Sequence, residues 1–429
     1  MILKEYQFLQ CKSSSEDHYI EGTTFNALER FVLDNEKTAQ YLKITIKRGY
    51  GKVLQAQNYV GVIQTKDGTT IEILPKISNL KDDKDQNNRI IKTKEEKSKE
   101  ILLRMLKTLK NSPFKNFNMA HLKKCKMPLL EIFISMFLDE LSHLLKRGIK
   151  SDYILKEENL RFLKGKLKIG EQIKKNFIHK ERFFVEYDEF ISDRVENRLI
   201  KTTLRYLYKK SRSNRNQQRI REFLFVFDDV GVSHHIKTDF AKVKLNRQMK
   251  DYEQVLLWCK TFLLGNSFSP YKGDDVAFAL LFDMNLLFES YVGDYLKRSG
   301  LDVSLQDRGK YLVEDPKTFT LKPDIVINKD KEDMIIADTK WKILSEEKTN
   351  NGISQADMYQ LYAYGTKYEK CKKLFLIYPK DKDIKNNNCY KFKNELNLQI
   401  LFFDLSYKDH CEFYKNFENL TQRCHDETA

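Results

Sequence analysis

Alternating apolar and polar residues define a β-rich region near the start of the chain. Residues 41–77 alternate with a period of two, and turn signals stand at Gly49, Gly51 and Asp67-Gly68. Both residues of the Asp67-Gly68 pair can adopt a positive φ, which suits a tight hairpin turn. The pattern predicts a small antiparallel β module.

The stretch that follows this module is almost entirely polar. Residues 78–99 are expected to form an exposed or disordered insertion. Apolar residues at helical spacing then predict helices at 100–110, 128–146, 193–211 and 251–264. Residues 161–190 look like a strand pair with a basic helix. Ser192 or Asp193 is expected to cap the helix that follows.

The last third of the chain combines both periodicities. Residues 276–300 are predicted to be one long helix that ends at Gly300, because Gly favours helix C-termini. Strand-like segments follow, then a helix at 354–368 and two more strands. This order predicts an α/β domain, a mixed sheet flanked by helices. We therefore expect three parts: a β-rich module at 1–99, a mainly helical middle region at 100–255 and the α/β domain at 256–429.

Composition and charge narrow the class of protein. The 429 residues include 76 Lys plus Arg and 61 Asp plus Glu, a net charge of +15. This charge favours a polyanionic partner such as nucleic acid, with a general abundance of lysine as the alternative. No apolar run reaches the roughly 18–20 residues of a membrane span. Seven cysteines without CxxC spacing predict a cytoplasmic protein without a zinc cluster. No GxxxxGK[ST] loop occurs, so we expect no bound nucleotide in this chain.

The candidate chemistry lies in two apolar segments separated by a polar turn. A symmetric hairpin centred on Lys331 pairs Ile327 with Ile335 and places Asp324 opposite Asp338. Two facing carboxylates repel each other, and a divalent cation, Mg²⁺ or Mn²⁺, would compensate them. An ordinary exposed hairpin is the alternative, but the apolar residues before Asp338 indicate a buried strand.

The strand of Asp338 also offers an amine. Lys340 lies two residues further on, so its side chain shares a face with Asp338, while Thr339 and Trp341 are expected to point to the other face. Paired carboxylates beside an ammonium suit phosphodiester hydrolysis. The carboxylates hold the metal, and the lysine orients or deprotonates water or stabilises the transition state.

Two flanking helices offer further polar groups. On the first, Asn285 and Glu289 share a face, and a Glu within a mostly apolar helix is costly unless it is ligated or paired. A solvated or capping Glu is the alternative. On the second, Gln360 and Tyr364 can present an amide and a phenol to a phosphate or to Lys340. An ordinary amphipathic helix would explain that pair equally simply.

Several segments together resemble the PD-(D/E)xK nuclease superfamily and, more closely, the McrC family, the nuclease subunits of methylcytosine-specific McrBC restriction systems. They are ITIKRGYGKVLQAQNYVGVIQTKDGTTIEILPKI, LKGKLKIGEQIKKNFIHKERFFVEYDEF with ENRLIK, FALLFDMNLLFESYV, and KPDIVI…IIADTKWKIL…ISQADMYQLYAYG. The resemblance implies that Asp324, Asp338 and Glu289 are metal ligands and that Lys340 is the catalytic lysine. The polar pair on the second helix resembles a QxxxY element.

The resemblance also implies a function and a partner. The chain is expected to be a metal-dependent DNA endonuclease of a GTP-driven type IV restriction system that acts on modified double-stranded DNA. Its implied partner is a McrB-like AAA+ GTPase ring, on which the N-terminal half docks and whose GTP hydrolysis it stimulates. The turn with Arg48, Tyr50 and Lys52 is a candidate contact, with a plain hairpin tip as the alternative.

The sequence also supports one hypothesis about assembly and two alternative hypotheses about function. Cutting both strands would favour dimerisation of two nuclease domains. A non-catalytic adaptor, which activates the GTPase and binds DNA through a nuclease-like fold, is the second hypothesis. A basic nucleic-acid-binding protein without catalysis is the third, and it predicts salt-sensitive binding that needs no metal.

Overall fold

A computed structural model describes residues 1–12, 18–33, 41–77, 80–84, 90–116, 126–264, 276–380, 389–392, 396–406, 413 and 417. The strands are β1 (Ile2–Lys4), β2 (Phe8–Leu9), β3 (Leu42–Lys47), β4 (Gly51–Ala56), β5 (Tyr59–Thr65), β6 (Thr70–Leu74), β7 (Asp83–Lys84), β8 (Ile90–Lys92), β9 (Asp152–Leu160), β10 (Lys166–Leu167), β11 (Phe183–Ile191), β12 (Val276–Asp283), β13 (Val303–Leu305), β14 (Tyr311–Val313), β15 (Thr318–Thr320), β16 (Ile325–Ile327), β17 (Ile335–Thr339), β18 (Lys373–Pro379), β19 (Cys389–Lys391) and β20 (Asn397–Phe403). The α-helices are α1 (Gly22–Leu33), α2 (Lys94–Thr108), α3 (Leu129–Leu145), α4 (Ile169–Asn176), α5 (Val195–Lys210), α6 (Asn214–Val226), α7 (Ile236–Lys242), α8 (Lys250–Leu264), α9 (Met284–Arg298) and α10 (Gln355–Lys367). Within these described ranges, no helix combines the length and apolar character needed to cross a bilayer.

The chain divides into two compact units. The composite unit contains Met1–Leu129 and Tyr271–Ala429, and the helical unit contains Leu130–Pro270. The composite unit joins both ends of the chain because β12 pairs antiparallel with β5, with Phe282 opposite Val60. This division differs from the expected boundaries at 99 and 255, since a strand from the C-terminal part completes a sheet of the N-terminal module.

The N-terminal module consists of two small sheets. One has the order β1-β6-β5-β12 and the other the order β2-β4-β3. The antiparallel pairs β3–β4 and β5–β6 match the predicted alternation, whereas β1 runs parallel to β6. At the tip of β5–β6 only Gly68 has a positive φ, +86°. Asp67 instead accepts hydrogen bonds from Thr24, Thr65 and the Thr69 amide.

The polar stretch 78–99 is not wholly an insertion, contrary to the prediction. Its end forms the first turns of α2, where Thr93 and Glu96 make a capping box. Lys99 is buried and lies 2.7 Å from the carboxylate of Glu72 on β6. The polar composition of residues 94–99 did not indicate a helix. The capping box and the buried Lys99–Glu72 ion pair provide partners for polar side chains that composition alone predicts to be solvent-exposed.

The predicted helix at 276–300 begins eight residues later than expected. Residues 276–283 form β12, and α9 starts at Met284 with Asp283 as its N-cap. A short continuous apolar run fits a buried strand as well as a helix, and its pairing with β5 decides between them. Gly300 follows the last turn with a φ of +88°, as expected for a helix stop.

The C-terminal part of the composite unit is a mixed α/β structure. Its sheet has the order β13-β16-β17-β18-β20-β19. The hairpin β16–β17 is antiparallel, and β17–β18 and β18–β20 are parallel. Helix α10 buries Leu361 and Tyr364 against one face of this sheet, which carries Val326 and Ile336. Both α9 and α10 contact β17, so the central strand lies where two helices can supply side chains.

The helical unit packs α5 against α6, α7 and α8. Its core includes the stacked rings of Trp258 and Phe262. The strands β10, β11 and β9 form a separate sheet, joined to α4. The pair β10–β11 with α4 matches the pattern within 161–190, whereas β9, at 152–160, was not predicted. Neither of the two expected caps, Ser192 and Asp193, occupies the cap position of α5. Asp193 accepts hydrogen bonds from Arg198 and the Gly231 amide instead. Arg194 holds the cap position, and its side chain makes no capping hydrogen bond.

Candidate active site

The hairpin register places two carboxylates at the same end of the sheet. Ile327 pairs with Ile335 and Ile325 pairs with Ala337, which confirms the predicted symmetry. One step further along the same register lie Asp324 and Asp338. The amide and hydroxyl of Thr339 donate to Asp324 Oδ2, at 2.8 and 2.9 Å. The Thr339 side chain therefore contacts the carboxylate pair, although strand alternation predicted that it faces the other side of the sheet.

Burial makes this carboxylate pair electrostatically costly. Asp338 is only 1% exposed. Burial, and then the neighbouring charge of Asp324, raise the pKa of Asp338 to about 7. Burial also raises the pKa of Asp324, against the hydrogen bonds from Thr339. A second positive charge at this position would stabilise both ionised carboxylates.

Lys340 supplies the first positive charge. Its Nζ lies 2.6 Å from Asp338 Oδ2 and 3.8 Å from Asp357 Oδ1. Burial lowers the pKa of Lys340, but the attraction of Asp338 and Asp357 outweighs it, and the pKa ends above its usual value. The side chain is therefore an ammonium at neutral pH.

Gln360 holds that ammonium in place and Tyr364 supports Gln360, which is one of the arrangements that their spacing allowed. Lys340 Nζ donates to Gln360 Oε1 at 3.1 Å, and Gln360 Nε2 donates to the Tyr364 hydroxyl at 2.8 Å. The Tyr364 hydroxyl donates in turn to the carbonyl of Lys322 at 3.1 Å. This chain ties α10 to both strands of the hairpin.

Glu289 lies beside the pair, on α9. Burial, and then the charge of Asp324, raise its pKa to about 7. Its Oε1 accepts a hydrogen bond from Gln306 Nε2 at 2.8 Å. The structure does not bring Asn285 to the centre, contrary to the prediction. Asn285 is exposed, and both its backbone amide and its side chain donate to Asp283 at the start of the helix, because it occupies the first turn.

The centre can be tested against the chemistry of a divalent cation. Within the described ranges, no three His, Cys, Asp or Glu side chains converge closely enough to form a complete ligand cluster. Asp324 and Asp338 alone lie face to face, and the role of Glu289 as a third ligand stays a prediction. Asp338 Oδ2 is inaccessible to solvent and has Lys340 as its counter-charge, but it receives no well-aligned hydrogen bond. A buried carboxylate oxygen with a neighbouring carboxylate fits a metal ligand.

The predicted partner contact forms the β3–β4 turn. Gly49 and Gly51 have φ values of +88° and +72°, which a side chain would disfavour. The ring of Tyr50 packs edge-on against Phe8, and Lys52 Nζ lies 2.6 Å from the Glu29 carboxylate. Arg48 is exposed at the tip. The turn is thus a supported surface feature, and its role in binding stays a prediction.

Sequence reasoning missed two residues next to the centre. Gln306, which binds Glu289, has no motif around it, and its place depends on β13 pairing with β16. Glu5 accepts two hydrogen bonds, each of 3.0 Å, from the indole of Trp341, immediately after Lys340. Glu5 and Trp341 are 336 positions apart in the sequence, so no local pattern predicts their contact.

Comparison with known proteins gives a consistent result. The sequence model of the family described as McrBC 5-methylcytosine restriction system component matches residues 54–379. A curated relative, the Type IV methyl-directed restriction enzyme EcoKMcrBC of Escherichia coli (strain K12), is 23% identical over 257 residues, which are 54% of this chain and 72% of the relative.

Two solved structures share the fold. One comes from a tetradecameric assembly of Thermococcus gammatolerans McrB AAA+ hexamers with bound McrC. It aligns with a TM-score of 0.72 at 18% identity and covers 98% of this chain and 99% of that chain. The other is the cryo-EM structure of the Thermococcus gammatolerans McrBC complex. It aligns with a TM-score of 0.50 at 20% identity, over 73% of this chain and 89% of that chain.

Proposed function

This chain belongs to the family of McrBC 5-methylcytosine restriction system components, and on that premise we propose that it is the metal-dependent DNA endonuclease subunit of a GTP-driven restriction system in the cytoplasm. The observation that carries the proposal is the buried end of the β16–β17 hairpin, where Asp324 and Asp338 meet beside Lys340. Buried like charges destabilise a fold, so their placement favours a chemical role.

The acidic pair would hold Mg²⁺ or Mn²⁺. The carboxylates of Asp324 and Asp338 are hard oxygen ligands of the kind that these ions prefer. Glu289 would contribute from α9. When bound, the ion supplies positive charge that offsets the charge of the reacting phosphate and lowers the pKa of water.

Lys340 would act as a fixed ammonium beside the scissile phosphate. Its raised pKa favours a donor of hydrogen bonds over a general base. Gln360 Oε1 accepts a hydrogen bond from Lys340 Nζ at 3.1 Å, which fixes the directions of the other two N–H groups of the ammonium. An ammonium held in this way can orient the attacking water or stabilise the phosphorane-like charge of the transition state.

Four exposed cations lie between β13 and β16, in the stretch of chain before Asp324. They are Arg308, Lys310, Lys317 and Lys322, all on the composite unit. Together with the net charge of +15, they favour contact with the phosphates of double-stranded DNA. Such contacts position the backbone and carry no sequence information, so the choice of modified DNA would fall to a partner.

The proposed partner is a McrB-like AAA+ GTPase ring. The similar solved structure is an assembly in which McrC is bound to McrB hexamers. The chain carries no GxxxxGK[ST] motif of its own, which fits a division between a nuclease subunit and a separate motor.

Two surfaces are candidates for contact with that ring. One is the β3–β4 turn with Arg48, Tyr50 and Lys52, as the sequence predicted. The other is the sheet of β9 and β11 with α4, which exposes several large apolar side chains: Tyr153, Leu155, Phe177, Ile178 and Phe190. Exposed large apolar side chains, with the rings of Tyr153 and Phe190 in contact, favour a protein partner over DNA.

Substitution of each surface separates the two. We expect the full chain to stimulate GTP turnover by the ring, and Arg48→Glu with Lys52→Glu to abolish the stimulation if the turn docks. If only the Phe177→Ser, Ile178→Ser variant loses the stimulation, the docking surface lies on the helical unit. The exposed Phe225→Ser is the control for surface apolar changes.

One observation keeps a second function in view. The absence of three converging ligands among the described residues fits an adaptor that binds DNA and activates the GTPase without cutting. This alternative predicts metal-independent DNA binding and no cleavage under any condition.

Cleavage by the reconstituted complex decides between the two functions. We expect wild-type chain with its AAA+ partner, GTP and Mg²⁺ to cut methylated plasmid. Lys340→Ala should abolish cutting and leave the stimulation of GTP hydrolysis unchanged. The matched control is Lys331→Ala, on the turn at the far end of the same hairpin, where Lys331 pairs with Asp302. Equal cleavage by the Lys340 variant would refute the assigned site.

A further inference from the structure

Gln306 contacts two of the three acidic residues proposed as ligands. Its side-chain Nε2 donates to Glu289 Oε1 at 2.8 Å. Its backbone amide donates to the carbonyl of Asp324, also at 2.8 Å. One residue thus connects helix α9 with the strand segment that presents Asp324.

The backbone of Gln306 is held in an uncommon conformation. Its φ is +52°, in the left-handed region that a residue with a side chain rarely adopts. The strain is maintained from both sides. Leu305, the last residue of β13, pairs with Ile325. Asp307 accepts hydrogen bonds from the Tyr368 hydroxyl at 2.7 Å and from Lys329 Nζ at 2.6 Å. Strain fixed in this way at a polar site favours a functional role.

Helix α9 packs closely against Leu305, the residue before Gln306. Gly293 lies one turn after Glu289, on the same face of the helix. A Cβ added at Gly293 would lie 2.6 Å from Leu305 Cδ2, so the Leu305 side chain would have to move. The glycine therefore lets α9 sit against the end of β13, where Glu289 comes within reach of the Gln306 amide.

We propose that Gln306 is a positioning residue of the candidate metal centre, which fixes the carboxylate plane of Glu289 and its distance from Asp324. The hydrogen bond engages one oxygen of Glu289 and gives the other a defined direction. The inference rests on the proposed nuclease function and goes beyond it, because it assigns a supporting group outside the PD-(D/E)xK pattern. Groups that orient ligands in this way affect metal affinity by roughly 10–100-fold.

The test is Mn²⁺ binding by the full chain, measured from the electron paramagnetic resonance signal of the free ion. Gln306→Met keeps the side-chain size and removes the donor. We expect it to weaken Mn²⁺ binding about tenfold. The matched control is Gln218→Met, which removes a similar Gln–Glu hydrogen bond of 3.0 Å on exposed α6 and should leave binding unchanged.

A double-substitution cycle separates positioning from a purely structural link. If Gln306 acts through Glu289, then Gln306→Met should weaken Mn²⁺ binding in the wild-type chain and add nothing in a Glu289→Gln background. Equal additional losses in both backgrounds would show that Gln306 acts on the fold and would overturn the proposal. Gln306→Asn serves if the Met variant unfolds, because Asn tolerates a positive φ and its amide is one methylene too short.

The outcomes distinguish this inference from the function on which it rests. No Mn²⁺ binding by the wild-type chain would overturn the proposed metal centre, and this inference with it. Binding by the wild type that Gln306→Met and Gln306→Asn leave unchanged would overturn the positioning role alone. In DNA cleavage by Gln306→Met, a fall in kcat larger than the change in KM would support positioning at the reacting centre.

Discussion

Lys340 depends on a neutral residue for its geometry. Asp338 and Asp357 supply opposite charge at 2.6 and 3.8 Å, but charge alone does not fix direction. Gln360 does so, because it accepts from Lys340 and donates to Tyr364. The amide is thus the part of the site where a small change should affect rate without affecting the fold.

Replacing Gln360 with Leu tests this role. The change removes one hydrogen bond to a charged group, worth about 1.5–3 kcal/mol, so we expect cleavage to slow by roughly 10–100-fold. Stimulation of the partner's GTP hydrolysis should not change. Gln218→Leu, on the helical unit, is the control. Cleavage at the wild-type rate by the Gln360 variant would show that Lys340 needs no such support.

At this scale, residues with a local pattern could be predicted and those without one could not. Asp324 and Asp338 follow from hairpin symmetry and Lys340 from strand alternation, and the pairing of residues 325–327 with 335–337 matches the predicted register. Gln306 could not be predicted, because its contact with Glu289 depends on tertiary packing of α9 against β13. The misassigned Asn285 shows the opposite case, in which correct helical spacing said nothing about whether the side chain would cap the helix or face the site.

Among the elements, α9 matters most because it carries Glu289. Its N-cap, Asp283, accepts from the Asn285 amide at 2.9 Å. The same carboxylate accepts from the Asn58 side chain at 3.1 Å, and the Met284 amide donates to the Asn58 carbonyl at 3.0 Å. The start of the helix is therefore tied to the loop between β4 and β5.

Substitutions of Asp283 should separate the cap from the charge. Asp283→Ala loses the acceptor, and we expect it to lower the free energy of unfolding by about 1–2 kcal/mol. Asp283→Asn keeps an acceptor and should lower the free energy of unfolding by only about a few tenths of a kcal/mol. Urea denaturation followed by circular dichroism measures both. Equal losses in the two variants would mean that the carboxylate charge, not the cap, holds the helix start.

The elements also show where periodicity fails. The boundary between β12 and α9 was missed because both are apolar, and only pairing with β5 makes residues 276–283 a strand. The start of α2 was missed because its residues are polar. In both places the deciding interaction, a sheet partner or the buried Lys99–Glu72 pair, comes from elsewhere in the composite unit.

On the scale of the whole molecule, both chain ends share one unit, and Glu5 links them close to the candidate site. Glu5 is 1% exposed and accepts hydrogen bonds from the Lys76 amide and the Trp341 indole. Burial raises its pKa to about 7, against those hydrogen bonds and the charge of Lys76, while the charge of Asp283 raises it further. The N-terminal module is therefore joined to the residue that follows Lys340.

This buried acid predicts a pH dependence of stability. A carboxyl group whose pKa is higher in the folded state favours folding when protonated, so stability should fall as pH rises from about 4.5 to about 7. Glu5→Gln cannot ionise, and it should be more stable than wild type above pH ~7, by about 1–3 kcal/mol, with the difference vanishing below pH ~4.5. Urea denaturation across this range, with exposed Glu346→Gln as control, measures it. A difference independent of pH would contradict the pKa of Glu5.

The division of the chain could be predicted only in part. The sequence indicates a β-rich start, a helical middle and an α/β end, and each kind of structure is present. The grouping of the start with the end could not be inferred, because β5 and β12 are more than two hundred residues apart and no local pattern records their pairing.

The most direct test of the account is the position of a bound metal ion. Crystals of the full chain grown with Mn²⁺ would be measured near the manganese absorption edge. The account predicts an anomalous peak about 2.1 Å from carboxylate oxygens of both Asp324 and Asp338, and its loss in Asp338→Asn. A manganese-saturated crystal with no peak at either carboxylate, or with an unchanged peak in the Asn variant, would contradict it.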